Sequence, residues 1–425
     1  MKSVAAPKVL YIVYWGAAEP LGQSLVLPAV RRLAALGAEL TLVTFEKPAD
    51  AANRDEMTRI RRLLQQSGVR WVPLRYHKRP KWPATAVDVT HGWMRAILER
   101  MRNRPEIIHA RTFIGGLIGL ALAPVIGAKL VYHNEGFYPD EQVDGGVWRA
   151  NSMPHRLAKF LEQRMYARAD GIIAMSRRGK QVIECLPAVA RNRTPVIVVP
   201  SCVDLERFRW NGSRAVVARD SLRLIYIGSV GARYLLDKIG RFAAVVFRDV
   251  LPGHLRILTK ADGELVRSML AAGGLSAEQW SVGSVPHAAM PEQLAGQHAG
   301  LFFLAQGLSE HGCSPTKIGE YWAMGLPVIT TPNVSDTDQI IAHRRVGVIV
   351  HEHTDAAYRR AGHALLSLLN DPELPERCRQ AAEAHYALEP ACQRQMELYD
   401  HLLSRSATSH KREWRIENGG LRIED

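Results

Sequence analysis

The sequence predicts an α/β protein built from two parallel-sheet domains that face each other across a cleft. Three observations predict it. Short apolar strands alternate with helical segments along most of the chain. The alternation restarts after a polar break near Ser201–Ser221, which contains the turn pair Asn211-Gly212. Each half also opens with a strand that runs into a glycine-containing loop. Strands that are apolar throughout and separated by helices belong in parallel sheets covered on both faces.

In order, KVLYIVYW is a strand and LVLPAVRRLAALG an amphipathic helix closed by Gly37. AELTLVTFEK is a strand, followed by a helix over Asn53–Ser67, strand VRWVPLRY and a helix over 88–102. EIIHAR, a glycine-rich helix and KLVYH follow, then a helix over 154–168 and strands GIIAMS and VIVVPS. The second half reads LRLIYIGSVG, HLRILTK, WSVGSV, AGLFFL, LPVITT and VGVIV, with helices between. Helical segments over 356–369, 375–386 and 392–403 follow, and the polar tail 406–425 has no clear period and is expected to be mobile. The expected domains are 1–205 and 206–389, with a helix near 390–405 packing back on the first.

A chain of 425 residues suffices for two ordinary domains, and 47% hydrophobic with 23% charged residues is a globular composition. Five scattered cysteines show no CxxC pair, which fits a reducing compartment and a cytoplasmic location. The longest apolar run, Phe113–Ala128, is broken by Pro124 and glycines. It is shorter than the roughly 20 residues a membrane span requires and reads as a buried helix. The net charge of +13 lies in the first half: residues 1–205 hold 30 Lys+Arg against 17 Asp+Glu, while 206–425 hold 25 of each. Basic residues beside aromatics in YHKRPKWP suit either an anionic membrane surface or a solvated face. No nucleic-acid-binding motif accompanies the charge, and no cluster has zinc or EF-hand spacing.

The most informative stretch is SPTKIGEYWAMGLPVIT, residues 314–330. It reads as a loop, a helix starting near Pro315 and ending at Gly325, and a strand opened by Pro327. Lys317 and Glu320 then share one face of the first turns. An ammonium beside exposed amides makes an anion site, and a carboxylate one turn on accepts hydrogen bonds from a sugar diol. Together they suit a sugar nucleotide. Arg233 follows the loop Gly228-Ser229-Val230-Gly231, whose glycines let amides approach phosphate oxygens. Lys238 is a second cation nearby. Ser314 and Thr316 suit ligand contact or helix capping, and Ser24, beside Gly22 and Gln23, suits a facing loop or an N-cap. His133 ends its strand where it can orient or deprotonate an acceptor hydroxyl, and Asp140 and Glu141 are acceptor-binding candidates.

At PLGQSLVLPAVRRLAALGAELTLVTFEKP, EGFYPDEQVDGGVW, LEQRMYARADGIIAMS, VPSCVDLERF, IGSVGARYLLD and SPTKIGEYWAMGLPVIT, the chain resembles the family-4-type glycosyltransferases of GT-B fold. The resemblance spans residues 8–405. It implies two facing Rossmann-like domains, a nucleoside-diphosphate-sugar donor held mainly by the second, an acceptor held by the first, retention of anomeric configuration and no required metal or other cofactor. Two departures stand out. Many relatives carry two glutamates eight positions apart; Glu320 matches the second, but the first falls on Gly312, with Glu310 nearby. Close relatives have Asp-x-Arg-Gly where this chain has His133-Asn134-Glu135-Gly136, which puts Glu135 on the acceptor side.

The expected activity is transfer of a sugar to a glycan or lipid-linked acceptor in cell-surface polysaccharide biosynthesis, at the inner face of the membrane. Two rivals remain: a sugar-nucleotide 2-epimerase of the same fold, and a non-catalytic nucleotide-sugar-binding component of an assembly complex.

Overall fold

The computed structural model describes residues 6–77, 81–212, 221–231, 233–307 and 309–412. The first sheet comprises β1 (Lys8–Val13), β2 (Glu39–Glu46), β3 (Arg70–Arg75), β4 (Ile107–Arg111), β5 (Lys129–His133), β6 (Gly171–Ala174) and β7 (Val196–Val198), in the order β3-β2-β1-β4-β5-β6-β7. The second comprises β8 (Leu222–Ile227), β9 (Gly253–Leu258), β10 (Trp280–Gly283), β11 (Ala299–Phe302), β12 (Val328–Thr330) and β13 (Gly347–Ile349), in the order β10-β9-β8-β11-β12-β13. All pairings within both sheets are parallel.

Strand order reverses beside β1 and β4 in one sheet, and beside β8 and β11 in the other. Such switch points open a crevice at the carboxyl ends of the strands. The loops after β1 and β8 therefore reach toward the gap between the sheets.

The glycine-rich helix Phe113–Ile126 is a core element. A Cβ on Gly119 would lie 2.7 Å from the Ala110 side chain, and one on Gly116 would meet Tyr132 and Met165. Its glycines let it press directly onto β4 and β5. No described helix is long and apolar enough to cross a membrane.

The helix Leu388–Arg412 runs past Ser406, where the sequence reading placed the start of the tail; residues 413–425 lie outside the described residues. Its buried Ala391, Cys392, Leu398, Tyr399 and Leu402 share a core with Val30, Leu33 and Val131 of the first domain. This burial carries the end of the chain back onto the first sheet. Lys78 and Arg79 of the basic run Lys78, Arg79 and Lys81 lie outside the described residues.

Candidate functional site

The helix Thr316–Ala323 starts after Pro315, whose extended backbone (φ −67°, ψ 119°) forms the N-cap, and Gly325 terminates it at φ +75°. Lys317 is half-buried in its first turn. Its Nζ lies 5.5 Å from the Tyr234 ring centroid and 5.4 Å from that of Phe302. Aromatic faces hold an ammonium without neutralising it. Gly228, at φ +156°, lets the end of β8 approach closely: a Cβ there would lie 3.2 Å from Lys317 Cε and 3.0 Å from the Tyr226 hydroxyl. The Tyr226 hydroxyl fixes the loop by donating to the Ser229 carbonyl at 2.6 Å, and a Cβ on Gly231 would meet nothing within 4 Å.

Glu320 is 5% exposed and accepts from His287 Nε2 at 2.9 Å. A carboxylate only accepts here, so His287 carries its proton on Nε2, and its buried Nδ1 finds no partner among the described residues. His287 was missed in the sequence. The available signal was its place in VPHAAM, just past the carboxyl end of β10.

The two domains touch across this region. Arg233 reaches Glu141 of the first domain at 3.3 Å and donates to Ser309 Oγ at 3.1 Å. Burial raises the Glu141 carboxyl pKa, opposed by Arg233. Asp144 accepts from the Ser309 amide at 3.1 Å, and the Ser176 hydroxyl donates to the His311 carbonyl. Asp336 accepts from the Arg177 and Arg178 amides at 2.8 and 3.2 Å. These contacts tie the two domains together beside the crevice. A cavity of about 370 Å³ lies at the amino ends of β11 and β12, away from the crevice, beside Trp210, His298 and Pro327.

Several sequence expectations change in the folded chain. Ser314 does not cap its helix; its Oγ accepts from the Ser201 amide at 3.0 Å. Ser24 is no N-cap, because the helical turn begins before it and Gly22–Val26 form a wide π turn. Gly22 packs on its own loop, where a Cβ would overlap the Gly16 carbonyl, and the Gln23 amide donates to Ala18 and Glu56. Asp140 is held by Lys159 at 2.9 Å within the first domain. Lys238 is paired with Asp237 at 3.3 Å. Glu310 is 1% exposed; one oxygen accepts from the Gly307 amide, and Oε2 is buried without a described partner. Burial raises its pKa.

The two departures from the family pattern acquire physical causes. A Cβ on Gly312 would lie 2.9 Å from the Phe137 ring and 3.3 Å from Gly136 Cα. A side chain there would require the Phe137 ring to move. Glu135 is bound to the buried guanidinium of Arg111, which also reaches the Tyr11 hydroxyl at 3.3 Å. The charge at 135 is therefore compensated within the first domain. The sequence reading passed over Arg111, whose signal was its place with His109 on one face of EIIHAR.

His133 is 1% exposed and ends a hydrogen-bonded line. The Tyr399 hydroxyl lies 2.6 Å from His109 Nδ1, and His109 Nε2 lies 3.0 Å from His133 Nδ1. The Tyr399 hydroxyl is buried and has His109 as its described acceptor, so it donates there. His109 then carries its proton on Nε2 and donates to His133, which leaves His133 with N–H on its unpartnered Nε2. Burial lowers the pKa of both rings, and the Arg111 charge adds to it. His133 thus presents a donor, not the lone pair that deprotonation of an acceptor requires.

This two-sheet architecture matches solved GT-B proteins over nearly its whole length. Sucrose-phosphate synthase from Thermosynechococcus elongatus superposes with a TM-score of 0.68 at 15% identity, covering 94% of this chain and 100% of that one. HepE from Anabaena, in complex with UDP and glucose, gives 0.63 at 13%, covering 95% and 100%. The lipopolysaccharide outer core galactosyltransferase WaaB gives 0.57 at 14%, covering 95% and 99%. These likenesses define the fold class as GT-B. Residues 24–207 match the family model for Glycosyltransferase Family 4. No curated protein matches the chain by sequence.

Proposed function

We propose that the chain transfers a sugar, with retention of configuration, from a nucleoside diphosphate sugar to a glycan or lipid-linked acceptor in cell-surface polysaccharide biosynthesis. The reading is carried by one arrangement: Lys317 rests on two aromatic rings beside the Gly228 loop, with Glu320 on the next turn. No ion pair of Lys317 occurs among the described residues, so its charge is available to a diphosphate. The UDP and glucose named for HepE are the kind of ligand this arrangement suits.

Lys317 and Arg233 stabilise the departing diphosphate, and Glu320 accepts from the ribose. The bond from the anomeric carbon to the phosphate oxygen breaks on the face where the acceptor oxygen bonds to that carbon. The acceptor hydroxyl proton passes to the departing phosphate. Donor entry separates Arg233 from Glu141 and frees that carboxylate for the acceptor, which the His133 N–H helps to orient. The reaction uses no metal, so turnover unchanged by a chelator is expected. Transfer takes place in the cytoplasm, at the inner face of the membrane.

A second reading, nucleotide-sugar binding without turnover, is favoured by the crowded position at Gly312. Thermal shift with nucleoside diphosphates, followed by turnover with acceptor panels, separates the two. We expect a shift of several degrees with one nucleotide, lost in Glu320→Ala, and product formed from its sugar conjugate. Binding with no product across the panel would establish the second reading. Epimerised donor in the absence of acceptor would establish an epimerase.

A further inference from the structure

We infer that the outer face of the helices Lys81–Asn103, Phe113–Ile126 and Met153–Arg168 docks onto an anionic lipid bilayer. The inference rests on the proposed lipid-linked acceptor and deepens it by naming the surface. The three helices lie side by side on the first sheet, the glycine-rich one in the middle.

Their outward residues include large apolar side chains set among polar ones. Met153, Leu157 and Phe160 are 77%, 52% and 51% exposed and recur at i, i+4 and i+7, one stripe of one helix. Val87, Met94 and Leu98 are exposed on the first helix, and Val125 on the second. Seven of the twelve large hydrophobic side chains exposed among the described residues belong to these helices.

Charge selects the occupant. On Met153–Arg168 the exposed arginines Arg156, Arg164 and Arg168 flank and interleave with the apolar stripe. The Arg164 guanidinium lies 5.2 Å from the Phe160 ring centroid. Every acidic residue of the three helices is buried: Asp88 at 0%, Glu99 at 1% and Glu162 at 2% exposure. A helix face with apolar residues among arginines and no exposed carboxylate matches the interface of an anionic bilayer.

Position links the face to the site. Helices of a parallel sheet run back from the carboxyl ends of the strands, so the Met153 end lies on the side of the crevice. The preceding helix Tyr138–Asp144 carries Glu141 and Asp144, which touch the second domain. An acceptor headgroup held at the bilayer surface is thereby brought to the crevice mouth.

The test is co-sedimentation of the full chain with vesicles of phosphatidylglycerol and phosphatidylcholine, and with phosphatidylcholine alone. We expect binding to the anionic vesicles only. The triple variant Met153→Asp/Leu157→Asp/Phe160→Asp should lose about tenfold or more. The double variant Arg156→Glu/Arg164→Glu, which leaves the apolar stripe in place, should lose a similar amount and serves if the triple variant does not fold. Equal binding to neutral vesicles, or wild-type binding by the folded variants, overturns the inference. So does sedimentation velocity showing a wild-type dimer that the triple variant dissociates while vesicle binding persists. A thermal shift with the panel of nucleoside diphosphates on the same samples separates the two failures. Vesicle binding that requires this face, without any nucleotide shift, upholds the docking surface and removes the enzymatic reading. A nucleotide shift with vesicle binding indifferent to the face does the reverse.

Discussion

The loops after β1 and β8 occupy equivalent places in their sheets, but their electrostatics differ. After β1, the chain wraps around the carboxylate of Glu46, which is 2% exposed and accepts from the Ala17 and Ala18 amides at 2.7 and 3.4 Å and the Thr44 hydroxyl at 2.6 Å. After β8, the loop stands beside an ammonium held by aromatic rings, with no carboxylate partner among the described residues. One turn is filled by the protein's own carboxylate; the other, in the proposed reading, receives the donor diphosphate. Equivalent positions in the two sheets therefore differ in which charge the fold itself supplies.

That contrast is open to direct attack. Lys317→Ala should lower turnover by about 10³-fold, the scale of removing a preorganised charge from a transition state, while leaving the melting temperature near wild type. Turnover near wild type would sink the site assignment. Glu46→Ala should do the opposite. Stranding its amides and hydroxyl is expected to cost about 2 kcal/mol in chemical denaturation, with nucleotide binding retained.

Buried charge in the first domain sharpens the comparison through pH. Burial raises the Glu162 pKa to about 7, against the pull of Lys159. Between its ordinary 4.5 and about 7 the folded carboxyl holds a proton that the unfolded chain releases, so stability falls as pH rises through that window. Glu162→Gln should remove this slope and gain about 2 kcal/mol above it, read as melting temperature against pH. His109 and His133 act at the acid side. The unfolded chain takes up protons below 6.5 that the folded rings refuse, so stability also falls as pH drops below that value.

The smallest effect is expected at Tyr399. Tyr399→Phe removes the donor that sets the tautomers of His109 and His133, at a cost of about 1 kcal/mol. Nitrogen-15 spectra should show His133 Nε2 shifting from mainly protonated toward a mixture. An unchanged spectrum would remove the hydrogen-bonded line from the account.

The strands were legible because period and composition report burial directly: β1, β4, β5 and β8 lie within the apolar runs that mark them. The helix after SPTK was legible for the same local reasons, with Pro315 at its cap and Gly325 at its end. The partners were not. Glu135 reads as a reversal of local charge until Arg111, 24 positions earlier, is found against it. Arg233 and Glu141 were assigned to opposite substrates, and the folded chain makes them partners. Gly312 reads as a lost glutamate until Phe137 is seen against it.

By itself, the sequence determined the α/β alternation, the restart at the second domain and the cation-carboxylate pair on one helix, because each depends on neighbours a few residues apart. Only the tertiary structure decided which charges are left over. Whether a carboxylate is free, buried or neutralised depends on groups that meet only when sheets, return helix and domains are packed, and the Coulomb energy between two groups follows their separation in space and local dielectric, not their distance along the chain.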